Sequence, residues 1–228
     1  MRSPWKDDDE LFAAARRELF SAVVGDTMDR LGLLHQFLPP RIRPLHRDMV
    51  VLGRAMTVLE ADIPDPDGGT PRPHEPFGLM MQALDDLARN EVYVCTGASP
   101  RYALWGELMT IRAQKRGASG AVLDGYSRDT PGILALGFPT FSHGSYAQDQ
   151  APRGRVIDFR VPIAIDGVRI EPGDIVFGDV DGTCVVPRAA EAEVLSGALE
   201  KARGEKAVRR AIEAGMSAAE AFKNYGIL

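Results

Sequence analysis

The feature that most constrains the fold is the alternation of short apolar runs with helical stretches in the middle of the chain. The predicted elements are, in order, a helix over 75–90, a strand over Glu91–Thr96, a helix over Glu107–Arg116 and short strands over 121–123 and 139–142. Strands that alternate with helices in this way are typical of βαβ units, in which parallel strands form a central sheet.

The last third of the chain has a different pattern. Residues 156–187 form short apolar runs that are broken by Asp-Gly and Pro-Gly-Asp turns, which predicts antiparallel hairpins. A long helix is predicted from about Ala189, supported by an ion pair between Glu205 and Arg209 one turn apart. A further helix is predicted over 9–19. Because no linker clearly divides the chain, we expect one three-layer α/β domain over all 228 residues, with helices flanking it at both ends.

Composition and charge exclude several classes of protein. The apolar fraction of 45% and the charged fraction of 26% are ordinary for a globular chain. A net charge of −5 argues against a general nucleic-acid-binding protein, which needs a basic face. Cys95 and Cys184 stand in apolar runs and are expected to be buried thiols. The sequence has neither a leader-like N-terminus nor an apolar run of membrane-spanning length, so we expect a cytoplasmic protein without a membrane partner.

The densest group of polar residues, DGYSRD at 124–129, directly follows a predicted buried strand. Loops converge at the carboxyl ends of strands in α/β proteins, and ligands usually bind there. Asp124, Arg128 and Asp129 are therefore candidate site residues. The alternative is that they only shape a turn, because Asp and Gly favour turns.

A second candidate site lies at the start of the helix predicted over Glu107–Arg116. If Gly106 precedes the first helical residue, the amide N–H groups of Leu108 and Met109 have no intrahelical partners. Together with the positive end of the helix dipole, they would bind a carboxylate or a phosphate. Alternatively, Gly106 lies inside the helix for close packing. The helical spacing of Leu108 and Ile111 also indicates some core role.

The two candidate sites should meet, because adjacent strands of a βαβ unit bring the following loops side by side. The set then contains an anion-binding helix start, the Arg128 guanidinium, and the carboxylates of Glu107 and Asp129. One or two carboxylates are typical of a Mg²⁺ site, in which waters and substrate oxygens complete the coordination. These groups suit a small α-keto acid. His143, which follows the next strand, either reaches this pocket or is a structural hydrogen-bonding group.

The chain resembles a known family at these residues. The pattern consists of Glu107 in GELM, twenty intervening residues and the Arg128–Asp129 pair in LDGYSRD. It is similar to the motif of 4-hydroxy-4-methyl-2-oxoglutarate aldolases, in which an acidic residue is followed by a spacer and an Arg-Asp pair. That family also includes the RraA proteins, which are inhibitors of ribonuclease E. The similarity extends from SAVVGDTMDRLG to PGDIVFGDVDGTCVVP. It implies a three-layer ββα swivelling-domain fold, assembled as a trimer or a dimer of trimers with active sites between subunits.

The resemblance also implies roles for the residues of the motif. Asp129 would bind a divalent metal, either Mg²⁺ or Mn²⁺, which oxygen ligands do not distinguish. Arg128 would bind pyruvate, and the helix start from Gly106 would hold the pyruvate carboxylate with the amides of Leu108 and Met109. Glu107 stands where the characterised aldolases have Asp, and it would act through water bound to the metal.

The implied activity is that of a class II pyruvate aldolase. A 4-hydroxy-2-oxo acid would be cleaved to pyruvate and a second carbonyl compound, with Arg128 and Glu107 as catalytic residues and oxaloacetate decarboxylation as a side activity. The family's site also takes an acidic residue from a neighbouring subunit, for which Glu200 and Glu205 are both candidates. Apart from the resemblance, the loop at 62–73 and His143 are expected to select the distal group of the substrate. The alternative is a protein-binding regulator of a ribonuclease without catalysis, as in RraA.

Overall fold

The computed structural model describes residues 5–63 and 76–226. The helices are α1 (Asp8–Glu18), α2 (Ser21–Arg30), α3 (Met80–Asp86), α4 (Glu107–Arg116), α5 (Thr130–Leu136), α6 (Glu191–Glu213) and α7 (Ala218–Tyr225). The strands are β1 (Arg43–Pro44), β2 (Val51–Asp62), β3 (Glu91–Thr96), β4 (Ala103–Trp105), β5 (Gly120–Leu123), β6 (Tyr126–Ser127), β7 (Thr140–Ser142), β8 (Gly154–Phe159), β9 (Ile163–Ile165), β10 (Val168–Ile170), β11 (Ile175–Gly178) and β12 (Thr183–Val186). The chain forms two compact units, His35–Arg188 and a helical unit of Met1–Leu34 with Ala189–Leu228.

The main sheet belongs to the unit His35–Arg188, and β2 is its longest strand. The strand order is β1-β7-β5-β3-β2-β11-β12, in which β2, β3, β5 and β7 run parallel. The edge of β2 opposite β3 pairs with β11 along its first residues and with β8 along its last, both antiparallel. The predicted βαβ units in the middle of the chain and the predicted hairpins β9–β10 and β11–β12 are therefore both confirmed.

Within this unit the sheet is covered on both faces. Successive side chains of a strand point to opposite faces, and β3 shows the consequence. Tyr93 and Cys95 belong to the core beneath α3, α4 and α5, whereas Val92 and Val94 belong to the core beneath the β9–β10 hairpin. Hairpin, sheet and helices thus make the three-layer ββα arrangement that was predicted. Cys95 and Cys184 are both buried, as expected.

The helix predicted over 75–90 is shorter than expected. Gly78 has a left-handed φ of 60° and pairs with the backbone of Val156 in β8, so helical structure begins only at Met80. A side chain at Gly78 would collide with the Val156 carbonyl oxygen, which explains the glycine. At the other end, Leu87 has a ψ of 136° and ends α3. Its side chain is buried in the core, as are those of Met80 and Leu84, so the apolar spacing marks the core positions but not the end of the helix.

The helical unit contains α1, α2, α6 and α7. The long helix α6 buries Val194, Leu195, Ala198 and Leu199 on one face, as the sequence periodicity predicts. The predicted Glu205–Arg209 pair is wrong. Glu205 accepts from Lys201 at 2.7 Å, and Arg209 donates to Glu213 at 2.8 Å. Glu205 and Arg209 thus each pair with a residue four positions away, but on the side opposite to the predicted partner.

Three sequence predictions stay predictions at this point. The assignment of all residues to a single domain is one of them, and the cytoplasmic localisation is another. Within 5–63 and 76–226, no helix combines the length and the apolar character that crossing a bilayer requires. The third is the selection of the substrate by the loop at 62–73, which lies outside the described residues apart from its first two positions.

Candidate functional site

Gly106 lies immediately before α4, at the helix start that the sequence predicts as an anion site. It is the N-cap, with an extended backbone (φ −152°, ψ −176°), and no side chain caps the helix. Among the described residues, the amide N–H groups of Leu108 and Met109 have no acceptor. The positive end of α4 is therefore open to an anionic ligand. The alternative in which Gly106 lies inside the helix is wrong.

The side chains of the first turns of α4 have different surroundings. Leu108 is 80% exposed and Ile111 is 38% exposed, so the predicted core role is wrong for both. Met109 is partly buried against the core beneath the helices. The face that α4 turns to the core instead carries Thr110 and Ala113. Apolar spacing on a short helix therefore indicated the wrong face.

A short two-stranded ribbon brings Arg128 and Asp129 to this helix start. β4 and β6 run parallel, and the Trp105 carbonyl accepts from the Arg128 amide at 2.8 Å. Asp129 Oδ2 accepts a hydrogen bond from the Glu107 amide at 3.3 Å. A Cβ on Gly106 would lie 2.7 Å from the same oxygen, so only glycine leaves this approach open. The predicted meeting of the two loops is confirmed.

Asp129 has a backbone conformation that is unfavourable for a residue with a side chain. Its φ of 57° lies in the left-handed region, and it precedes α5 without capping that helix through its side chain. Such a conformation costs about 1–3 kcal/mol and is tolerated best by Asn and Asp. The strained backbone turns the carboxylate away from its own helix and toward the start of α4. Strain of this kind is concentrated at functional sites.

Arg128 lies between two carboxylates. Its Nη1 atom is 2.9 Å from Asp149 Oδ1, and its Nε atom is 3.8 Å from Asp129 Oδ2. The Arg128 side chain is 37% exposed, so the guanidinium is oriented by these contacts and still accessible. Asp149 belongs to a loop without any recognisable motif, and the sequence prediction missed it. Only the folded chain shows that it holds Arg128.

Two cavities share Arg128 and Asp129. The first has a volume of about 380 Å³, a size typical of small-molecule sites. Its polar lining is Gly106, Arg128, Asp129, Asp149, Gln150, Asp85 and Arg112, and its apolar lining is Phe77, Met80, Met81, Leu84, Ala103, Leu104, Trp105, Leu108 and Met109. The second, of about 390 Å³, is otherwise lined by Thr130, Pro131, Ser145, Tyr146 and Ala147.

The Glu107 side chain turns toward α5 and is not part of the lining of either cavity. A Cβ on Gly132 would lie 2.6 Å from Glu107 Oε2, so the carboxylate lies across the first turn of α5. Gly132 is thus the residue that makes room for the longer acidic side chain at position 107. The catalytic role of Glu107 stays a prediction.

His143 does not line the cavities but belongs to a network at the carboxyl ends of the parallel strands. Its Nε2 atom is 3.1 Å from Asp124 Oδ1, and the same oxygen accepts from Arg41 at 3.1 Å. Thr96 donates to the other oxygen of Asp124 at 2.9 Å. Burial lowers the pKa of His143, and the neighbouring Asp124 opposes that effect. These contacts favour the alternative in which His143 is a structural hydrogen-bonding group. They also favour a structural role for Asp124 over a role in binding a ligand.

A buried carboxyl group lies behind the first cavity. Gln150, which lines that cavity, donates to Glu60 Oε2 at 2.5 Å. Glu60 is 2% exposed, and its Oε1 atom has no hydrogen-bond partner among the described residues. Burial raises the pKa of Glu60 to about 8, although the bond from Gln150 opposes the shift. The sequence gives no signal of this group, because a single Glu in an apolar strand also occurs at sheet edges.

Glu60 should make the stability of the protein depend on pH. Its pKa is about 8 in the fold and roughly 4.3 in an unfolded chain. Between these pH values the folded protein holds a proton that the unfolded chain has released, so the free energy of unfolding falls as pH rises. We expect a loss on the order of 5 kcal/mol across this range. Glu60→Gln, a neutral side chain of the same shape, should remove this pH dependence.

The measurement is urea unfolding at pH 5.5 and pH 8.5. Glu60→Gln should be more stable than the wild type at pH 8.5, with a smaller difference at pH 5.5. Glu213→Gln is the matched control, because its carboxylate is 59% exposed on α6. Equal changes with pH in the wild type and in Glu60→Gln would contradict the assignment.

The donor set fits a metal ion that needs few protein ligands. In the part of the chain that the structure describes, no three His, Cys, Asp or Glu side chains gather in one cluster, whereas zinc usually takes three or four such ligands. Mg²⁺ and Mn²⁺ accept one or two carboxylates and complete their shell with water and substrate oxygens. Asp129 can supply such a carboxylate, because it lines both cavities and its side chain is 46% exposed.

Known proteins share both the sequence pattern and the fold. Residues 21–185 match the family described as RraA-like, Aldolase/RraA. The "Putative 4-hydroxy-4-methyl-2-oxoglutarate aldolase" of Halalkalibacterium halodurans is 30% identical over 213 residues, which are 92% of this chain and 93% of that protein. Protein DlpA of Legionella pneumophila is 28% identical over 206 residues, 90% of this chain, and the chain spans only 32% of its length.

The fold has a solved counterpart in Streptomyces coelicolor, described as an unusual member of the RNase ES inhibitor RraA protein family. It is 25% identical, has a TM-score of 0.76, and the match covers 90% of this chain and 99% of that one. The predicted family resemblance and the predicted fold class are confirmed.

Proposed function

Because the chain belongs to the RraA-like family of aldolases and RraA proteins, we propose that it is a class II pyruvate aldolase. The observation that carries the proposal is the joint position of an open helix start, an oriented Arg128 and the strained Asp129 at one cavity. An α-keto acid needs one anion site for its carboxylate and one positive group for its ketone. The cavity offers both next to a carboxylate that fits Mg²⁺ or Mn²⁺.

The pyruvoyl part of the substrate would bind at the start of α4. Its carboxylate would accept hydrogen bonds from the amides of Leu108 and Met109, which have no other acceptor among the described residues. Arg128 would donate to the carboxylate and the ketone oxygen through its planar fork. Asp149 would hold the guanidinium in place through its 2.9 Å contact. Asp129 would hold the divalent metal, which as a Lewis acid polarises the ketone.

The proposed reaction is a retro-aldol cleavage. The hydroxyl group on C4 gives its proton to a water molecule, the bond between C3 and C4 breaks, and C4 becomes the carbonyl carbon of the second product. The electron pair of that bond passes to the pyruvate enolate, whose oxygen Arg128 stabilises as negative charge develops. C3 then takes a proton from water to give pyruvate. The test is a lactate-dehydrogenase-coupled assay of pyruvate release over a panel of 4-hydroxy-2-oxo acids and oxaloacetate.

Glu107 is proposed to help remove the hydroxyl proton through an intervening water, because its side chain lines neither cavity. A comparison of two reactions tests this. Glu107→Gln should lower aldol cleavage on the order of 10²-fold, because the group that organises the base is lost. Oxaloacetate decarboxylation should be partly kept, since it needs no base at a distal hydroxyl. Glu107→Asp is the conservative control. Equal rates of all three proteins on both substrates would show that Glu107 only packs against Gly132.

Assembly is a further part of the proposal and is supported by the family alone. We expect light scattering at micromolar concentration to give the mass of a trimer or of a dimer of trimers, because active sites in this family lie between subunits. A neighbouring subunit would then supply an acidic residue, and Glu200 and Glu205 on α6 remain the candidates. A stable and fully active monomer would be incompatible with shared sites.

A protein-binding regulator without catalysis is the second candidate function. The similarity to the Streptomyces coelicolor protein of the RNase ES inhibitor RraA family supports it. A regulator, however, has no need for a carboxylate next to an oriented guanidinium in the cavity. The position of Asp129 beside Arg128 therefore favours the aldolase. Absence of pyruvate release over the whole panel, together with inhibition of a ribonuclease of the E type, would favour this function over the aldolase.

A further inference from the structure

The first cavity has two different parts. The polar part is the start of α4 with Arg128, Asp129 and Asp149, to which the proposed function assigns the pyruvoyl group. The remaining wall is formed mainly by α3 and by the exposed face of α4, with Met80, Met81, Leu84, Leu108 and Met109. For a substrate that extends within the first cavity and not into the second, the substituent on C4 lies against this wall, because the pyruvoyl end occupies the polar part.

The wall has one other cation among the described residues, and it is already paired. Arg112 Nε donates to Asp85 Oδ1 at 2.7 Å, and both residues line the cavity. Arg112 follows Gly106 by six positions, which is about 9 Å along the helix axis. A second carboxylate on the substrate would reach a region where the positive charge is neutralised and the remaining side chains are apolar. A carboxylate there finds no unpaired cation and gains nothing from the apolar side chains, whereas an alkyl or aryl group gains free energy by covering them.

From this lining we infer that the preferred substrates are 4-hydroxy-2-oxo acids whose C4 substituent is an alkyl or aryl group, not a second carboxylate. This inference rests on the proposed function. The second product of cleavage is then an apolar aldehyde or ketone, released when the C3–C4 bond breaks and the hydroxyl proton leaves. The methionines of the wall suit substituents of varied shape, because their side chains are unbranched and adaptable.

The experiment compares kcat/KM for 4-hydroxy-2-oxo acids with methyl, propyl or phenyl on C4 with that for 4-hydroxy-2-oxoglutarate, which carries a carboxylate. Each added methylene should raise kcat/KM about fourfold, as expected from the burial of apolar surface. The propyl and phenyl substrates should exceed the carboxylate substrate about 10²-fold or more. Equal or faster cleavage of the carboxylate substrate would overturn the inference.

A second measurement separates this inference from the proposed function. Exchange of the pyruvate methyl protons with D₂O, followed by NMR, requires enolate formation but no C4 substituent. Exchange without a preference for apolar substituents leaves the aldolase proposal intact and refutes the inference. If neither exchange nor cleavage occurs with Mg²⁺ or Mn²⁺ present, the aldolase proposal fails and the inference fails with it.

A charge placed in the wall gives a direct test of the residues. Met81 is 52% exposed, so Met81→Arg is compatible with the fold. It should raise the ratio of carboxylate to propyl activity at least about tenfold, because the new cation pairs with the carboxylate. Val180→Arg is the matched control, since Val180 is 50% exposed and lies outside the lining. An unchanged ratio in Met81→Arg, or the same change in Val180→Arg, would count against the inference.

Discussion

Removal of divalent metal is expected to abolish pyruvate release, and Mg²⁺ or Mn²⁺ should restore it after dialysis against EDTA. The reason is the small number of protein ligands. Asp129 is the carboxylate that the fold aims at the start of α4, and the described residues offer no cluster of three acidic, His or Cys side chains. A site with one or two carboxylates binds its metal through water and substrate oxygens as well. Such a metal is removed readily by a chelator.

The matched variant for this prediction is Asp129→Asn. Asn tolerates the left-handed backbone almost as well as Asp, so the fold should be kept while the negative charge is lost. Binding of Mn²⁺, measured by electron paramagnetic resonance, should be lost together with activity. Asp48→Asn is the control, because that carboxylate is 78% exposed on a surface loop. Full activity of the dialysed wild type in excess EDTA would falsify the metal proposal.

Several elements were predictable because their signals are local. Helix α4 has the predicted bounds because glycines mark both ends. Gly106 is its N-cap, and Gly117 ends it with a left-handed φ of 81°. β3 is similarly well defined, because it contains the apolar run VYVC and five of its six residues are buried. In these cases neighbouring residues along the chain contain the information about the structure.

Other features depend on contacts between distant residues and left no local signal. The β4–β6 ribbon consists of strands of three and two residues, which are too short for a periodicity to appear. Asp149 and Gln150 lie in one irregular loop. Asp149 contacts Arg128 of the DGYSRD motif, and Gln150 contacts Glu60 of strand β2. The sequence therefore predicted the residues that carry the proposed chemistry but not the residues that hold them in place.

The largest effect of a single conservative substitution is expected for Arg128→Lys. Lysine keeps the positive charge but has no planar fork, so it cannot contact a carboxylate and a ketone oxygen at the same time. It also cannot reproduce the present arrangement, in which Nη1 contacts Asp149 while Nε faces Asp129. Because Arg128 would stabilise the enolate as it forms, kcat should fall about 10²–10³-fold. KM should rise as well, because the substrate is bound less tightly.

Arg169→Lys provides the control for that measurement, since Arg169 is 72% exposed on the β10 strand and pairs only with the nearby Glu171 among the described residues. It should leave kcat and KM unchanged in the coupled pyruvate assay. The comparison of kcat with KM is informative, because a residue that merely shapes the turn after β6 would not lower kcat selectively. If Arg128→Lys kept a near-normal kcat/KM, Arg128 would be a turn residue, and the regulator would become the better explanation of this site.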